Sequence, residues 1–185
     1  GIIIVLQSCS GQKGPQLQDV SIKDHIGAVH DLQQYKDYNA LVFLSFGIGC
    51  PIVGKLTIDF EDLSVKFPKM KFFFIDANIH HTVRDLSVYA RDVNLKLPIL
   101  KDSKQNVSSM LNIKRTGEAI VIDTDSWKSV YHGPVNNRSR GCSFSDRTEG
   151  STEDYLRNAL EAFRQGTPII TPKNDVLGCL ITFKK

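Results

Sequence analysis

Ala40-Leu41-Val42-Phe43-Leu44-Ser45-Phe46-Gly47-Ile48-Gly49-Cys50-Pro51 is the stretch that decides how this chain folds. Residues 40–46 form an almost unbroken apolar run, and a strand of that kind is buried on both faces, inside a sheet. Beyond the glycines the period changes. Ile52, Leu56, Phe60, Leu63 and Phe67 recur at intervals of three and four, one face of a helix running from Pro51 to Phe67 and stopped by Pro68. Cys50 therefore stands where a strand gives way to a helix. Unpaired amides and the positive end of the macrodipole at a helix start favour a thiolate over a thiol. Pro51 suits the first helical position, where its missing N–H has no partner to lose. Cys50 is thus a candidate nucleophile, and the blander alternative is a cysteine that only fills space in the core.

Outward from there the pattern continues. Met70-Lys71-Phe72-Phe73-Phe74-Ile75-Asp76 is a second buried strand. The segment from His81 to Asn94 then places Val83, Leu86, Ala90 and Val93 on one helical face, with Thr82 or His81 near the cap. Strand, helix, strand, helix is the alternation of a parallel α/β sheet. A short strand at Leu97-Pro98-Ile99-Leu100 and a small helix from Ser103 to Leu111, with Val107, Met110 and Leu111 inward, come next. Ala119–Asp123 and Val130-Tyr131-His132 are joined by Thr124-Asp125-Ser126, a turn short enough to make the pair antiparallel. Before the first strand, His30–Tyr35 reads as a short helical turn. The stretch from Gly133 to Gly150 has no apolar period and reads as a long exposed loop. Ser151-Thr152-Glu153-Asp154 opens a last helix that packs Tyr155, Leu156, Leu160 and Phe163 and ends at Gly166.

At 185 residues the chain fits one domain with a sizeable core. Its boundaries are read as 1–18 for a leader remnant and tether, 19–166 for the domain and 167–185 for an extended tail. The 23 basic and 20 acidic residues leave a net charge of +3 with no block of one sign, which gives no reason to expect a nucleic-acid partner. Cys9, Cys50, Cys142 and Cys179 are too few and too scattered for a disulfide-stapled fold. None sits in a zinc-ligand spacing, so no metal or other cofactor is expected and redox chemistry is the better use for them. Gly1 to Leu6 is an apolar run that ends in Gln7-Ser8-Cys9-Ser10, far shorter than the ~20 residues that cross a bilayer. Leu6-Gln7-Ser8-Cys9 resembles a bacterial lipoprotein processing box. That resemblance implies lipidation at Cys9, a membrane tether through it, and a place on the periplasmic side of the bacterial cell envelope.

The central strand, Cys50-Pro51, helix, strand, extra helix, Leu97-Pro98-Ile99-Leu100-Lys101-Asp102, small helix and Arg115-Thr116-Gly117-Glu118-Ala119-Ile120-Val121-Ile122-Asp123-Thr124-Asp125 together resemble the thioredoxin-fold redoxins. Within them the extra helix points to the peroxiredoxin and TlpA-like branch. The resemblance implies a mixed sheet flanked by helices and a thiol–disulfide oxidoreductase, with a protein disulfide or dithiol, or a small peroxide, as its partner. The tail around Val176-Leu177-Gly178-Cys179-Leu180-Ile181 resembles a bacterial redoxin subgroup often found beside c-type haem domains, and such a domain would lie beyond Lys185.

Departures from the family pattern shape the expectation. Val53 holds the place of the second cysteine of C-x-x-C, so Cys50 acts alone or with a distant thiol, either Cys179, Cys142 or one from a partner. Gly47 and Phe43 stand where peroxiredoxins carry threonine and proline, which argues against peroxide reduction at that standard site. Gly54 removes the C-x-x-x-C of copper carriers. Gly117 replaces the cis-proline that faces the reactive cysteine, so that loop is expected to run trans. The alternatives are a degenerate binding or redox-sensing module and an atypical thiol peroxidase. His80 and His81 read as a solvated helix cap, Trp127 as surface cover, and Arg115 and Arg138 as solvated charges.

Overall fold

The computed structural model describes residues 16–137, 153–173 and 175–184. Cys9, Cys142 and Arg138 lie outside the described residues, as does most of the loop expected between Gly133 and Gly150. Strands β1 (Ser21–Lys23) and β2 (Val29–Asp31) form an antiparallel hairpin, and a single 3-10 turn, Leu32–Tyr35, leads on to β3 (Ala40–Ser45). Helix α1 (Pro51–Lys66), β4 (Met70–Asp76), α2 (Val83–Asp92), β5 (Ile99–Lys101), α3 (Asn106–Met110), β6 (Glu118–Asp123), β7 (Lys128–Pro134) and α4 (Tyr155–Gln165) follow.

The five-stranded sheet runs β5-β4-β3-β6-β7. β3 pairs in parallel with β4, and β4 with β5, while β6 runs antiparallel to both β3 and β7. All six residues of β3 are buried, as expected of a central strand with both faces covered. Alternation along the strands divides the core in two. Ala40, Val42, Leu44, Phe72 and Phe74 face Val53, Leu56, Phe60 and Leu63 of α1, Leu86 and Ala90 of α2, and Leu156 and Leu160 of α4. Leu41, Phe43, Phe73, Ile75, Ile120 and Ile122 face Val107 and Leu111 of the α3 region, Ile22 and Leu32 near the N-terminus, and Ile181 of the tail. A helix layer thus covers one face, and a mixed layer of hairpin, short helix and tail covers the other.

Several expectations shift at their edges. Leu17, read as tether, is buried, because a 3-10 turn at Leu17–Asp19 tucks it under the second cluster. Val83, the first residue of α2, and Val93, just past its end at Asp92, are 41% and 48% exposed, and the helix buries only Leu86 and Ala90. Met110 points to solvent while Val107 and Leu111 pack inward. Gly133 and Pro134 belong to β7, and Val135 and Asn136 are buried after it, so the first residues of the stretch read as an exposed loop are strand and core. Thr82 caps α2 in a full capping box with Asp85. Gly166, with φ of 67°, closes α4 in the left-handed conformation that glycine takes without cost. No helix among the described residues is long and apolar enough to cross a membrane.

Candidate functional site

β3 and β4 are parallel and in register, Leu44 against Phe74 and Ser45 against Ile75, so the loops leaving their C-terminal ends emerge side by side. The first ends at Cys50, which has extended backbone angles and forms the N-cap of α1, with Pro51 at the first helical position. Residues 114–118 close over the same end from the β6 side, fixed where the Gly117 amide donates to the Ser45 carbonyl at 2.7 Å. Gly117 has φ of 83°, a conformation open to glycine and strained for other residues, and it packs against Leu56 and Leu177. All peptide bonds of the described residues are trans, including that of Gly117.

The residue that reaches the sulfur is Thr116, just before that glycine. Its hydroxyl donates to Cys50 Sγ at 3.2 Å and accepts from the Cys179 amide at 3.0 Å. The Thr116 amide in turn donates to the Cys179 carbonyl at 2.9 Å, so tail and loop pair as a miniature antiparallel ladder, extended where Ile181 N–H bonds Lys114 O. Arg115 Nη1 donates to the Gly178 carbonyl at 3.0 Å. This approach depends on Gly178, where a Cβ would stand 1.8 Å from the Thr116 carbonyl oxygen. Gln105 fastens the end of the tail, donating to Thr182 O and accepting from Lys184 N.

Both described cysteines are free thiols, Cys50 buried and Cys179 exposed. Burial is the largest influence on Cys50 and opposes its ionisation. The Thr116 hydroxyl, the Val53 amide of the first turn, and the amide and thiol of Cys179 outweigh it, bringing the thiol down from 9.0 to about 7. Of the helix start it is the Val53 amide that bears on the sulfur, with the positive end of the helix dipole behind it. The Cys179 thiol is pushed up, first by its interaction with the Cys50 sulfur, then by burial and by the charge of Cys50. One acidic and one reluctant thiol are thus held against a single hydroxyl.

A second polar cluster lies beside this one. Asp76, fully buried at the end of β4, accepts from Lys101 Nζ at 2.7 Å and lies 2.6 Å from His81 Nδ1. His80 is exposed, but His81 is not the solvated cap its position implied, because a carboxylate with no access to water draws its ring inward. Arg115 is exposed and holds the tail rather than the sulfur, and Trp127 packs half-buried against the second core cluster. Among the described residues no group of three or more His, Cys, Asp and Glu side chains converges as a metal cage.

No protein-family model matches the chain, and no curated protein matches it by sequence. Solved structures do. An uncharacterized conserved protein from Geobacillus kaustophilus superposes with a TM-score of 0.72 at 24% identity, over 94% of each chain. A secreted Mycobacterium tuberculosis disulfide oxidoreductase homologous to DsbE matches with a TM-score of 0.52 at 15% identity, over 60% of this chain and 81% of its own. The fold is thioredoxin-like. Peroxidoxin BcpB from Mycobacterium tuberculosis shares it, with a TM-score of 0.54 at 21% identity over 63% of this chain and 81% of that one. The thioredoxin-like architecture and its mixed, helix-flanked sheet agree with the resemblance drawn from sequence.

Thr116 is the functional candidate that the sequence reading passed over. Its hydroxyl has no motif of its own, although its place beside Gly117, in the loop expected to face the cysteine, was the available signal.

Proposed function

We propose that this thioredoxin-like protein is a thiol–disulfide oxidoreductase in which Cys50 is the nucleophile and Cys179 the resolving thiol. The single observation that carries the reading is the Thr116 hydroxyl, which touches the Cys50 sulfur while accepting from the Cys179 backbone. In the forward direction the Cys50 thiolate attacks a substrate disulfide, forming a mixed disulfide as the substrate's other sulfur leaves with the bonding electron pair. The Cys179 sulfur, deprotonated, then attacks Cys50 Sγ and releases the second substrate thiolate, leaving a Cys50–Cys179 disulfide. A dithiol partner reduces that bond and completes the cycle. Pro51 starts the helix whose field bears on the sulfur, and Gly117 lets the loop close over it.

The resolving thiol sits on the tail instead of three residues along α1, where Val53 is buried in the core. Cys142 belongs to the same proposal only as an alternative resolving thiol. An envelope location with a lipid anchor at Cys9 rests on the processing-box resemblance. It is in keeping with the secreted M. tuberculosis oxidoreductase that shares the fold.

Trapping tests the reading. Reduced Cys179→Ser protein incubated with a disulfide peptide is expected to accumulate a mixed disulfide at Cys50, identified by peptide mapping, while wild type passes on to an internal disulfide. Cys50→Ser protein is expected to do neither. Equal adduct formation in the Cys50 variant, or full turnover by the Cys179 variant, overturns the assignment. Reaction with hydrogen peroxide but with no disulfide would assign the same sulfur to a thiol peroxidase instead.

A further inference from the structure

The exchange just described leaves one group without a proton. An alkyl thiolate leaves a disulfide more slowly than an acidic one, and a proton delivered to it as the bond breaks favours its departure. Within the Cys50–Thr116–Cys179 cluster the Thr116 hydroxyl already gives its hydrogen to Cys50, and Cys179, whose thiol is pushed up beside that sulfur, holds its proton more tightly than an ordinary thiol.

His81 is placed for the task. It follows β4 as Cys50 follows β3, at the carboxyl ends of adjacent parallel strands, where α/β sheets gather their ligands. Its Nδ1 lies 2.6 Å from Asp76 Oδ2. A carboxylate can only accept, so Nδ1 carries the hydrogen and Nε2 is left for chemistry. Nε2 has no hydrogen-bond partner among the described residues. Asp76 is held in turn by Lys101 Nζ and the Asn78 amide, so the ring is braced from β4 and β5, with Asp85 of α2 the other charge near it. The ring's side chain keeps 15% of its surface open.

Gly47 joins this pair to the sulfur. The place a Cβ of residue 47 would take is 2.8 Å from Thr116 Cγ2 and 3.9 Å from His81 Cε1. Imidazole and threonine therefore flank the same α-carbon, and any side chain there would stand between them. Glycine at 47, a departure from the peroxiredoxin pattern, keeps the gap clear.

We propose that His81, oriented by buried Asp76, is the general acid that protonates the substrate's leaving sulfur. The inference rests on the oxidoreductase reading above. As Cys50 Sγ bonds to the near substrate sulfur, the substrate S–S bond breaks and its electron pair goes to the far sulfur. With the ring in its doubly protonated form, that sulfur takes the Nε2 proton and departs as a thiol, while Nδ1 keeps its hydrogen on Asp76. The neutral imidazole recovers a proton from water, and no electrons beyond those exchanged between sulfurs are needed.

Leaving-group dependence tests this. Single-turnover rates are measured for reduced wild type, His81→Asn and His81→Gln against mixed disulfides whose departing thiols run from thionitrobenzoate, acidic enough to leave unaided, to simple alkyl thiols. Loss of a general acid is expected to slow the alkyl series by about a hundredfold and to leave thionitrobenzoate release within a factor of about two. An equal loss across the series, which a merely structural role would give, overturns the inference, and so does no loss anywhere. If wild-type Cys50 fails to release thionitrobenzoate at all, the oxidoreductase reading falls instead. Rapid release by wild type together with a flat His81→Asn profile sinks only the role of His81.

Discussion

Replacing Gly178 by alanine is expected to separate the two thiols while leaving the sheet intact. The new methyl would lie 1.8 Å from the Thr116 carbonyl oxygen, 2.8 Å from its carbonyl carbon and 3.1 Å from its Oγ1. Two of those atoms are backbone, so no rotamer change relieves the contact, and tail and loop must part by about an ångström or more before it is merely tight. That movement breaks the Thr116–Cys179 pair of backbone and hydroxyl bonds and strains the Arg115 contact with residue 178. At roughly 1 kcal/mol for each hydrogen bond lost, about 2–3 kcal/mol of tail docking disappears. Gly178 does not use a left-handed conformation, so the effect comes from contact rather than from backbone strain. With the amide and thiol of Cys179 withdrawn, the Cys50 thiol rises. A rise of about one unit from a starting value near neutrality cuts the thiolate fraction at pH 7 roughly fivefold. Two assays read this, the pH profile of Cys50 alkylation by mass spectrometry and the formation of the Cys50–Cys179 disulfide in a glutathione redox buffer. If alanine at 178 leaves both unchanged, the tail does not couple the thiols and the reasoning fails.

In wild type, alkylation of Cys50 should rise with pH through about 7 and level off above it, because its lowered acidity constant makes thiolate the main form on the alkaline side. Cys179, shifted the other way, should label only at more alkaline pH, and a shared profile for the two sites would contradict their assigned roles. Thr116→Val keeps the methyl but loses the hydroxyl, so Cys50 alkylation at pH 7 should slow by roughly three- to tenfold, with the midpoint displaced to higher pH. Lys101→Met leaves the buried Asp76 carboxylate without its ammonium partner and should cost about 3 kcal/mol in urea unfolding, where a surface charge would cost under 1.

Where burial is continuous, the sequence announced the fold. β3 and β4 are legible because nearly every residue is apolar, and α1 because Leu56, Phe60 and Leu63 keep a helical period before Pro68. The β1–β2 hairpin was not legible, since each strand has three residues and only Ile22 among them is buried. Val83 and Val93 fit the helical period yet face solvent, because periodicity marks a face and cannot say how much of it the core covers at the two ends of the helix. Cys50 was conspicuous for its junction, a local property. Thr116 was not, since it takes its role from a sulfur 66 positions away that the sheet brings near. His81 read as a cap because its partner Asp76, only five residues earlier, shows neither its burial nor its direction in the sequence.

Thr116 falls 66 residues after Cys50 and 63 before Cys179. During synthesis the cysteine is made early and must wait for the far segment, roughly ten seconds at ordinary elongation rates. Until residues 176–181 dock, the sulfur has no Cys179 amide behind its hydroxyl donor, and the thiol keeps more of its everyday acidity. The full lowering of the Cys50 thiol is in this way reached only when the last part of the chain has docked.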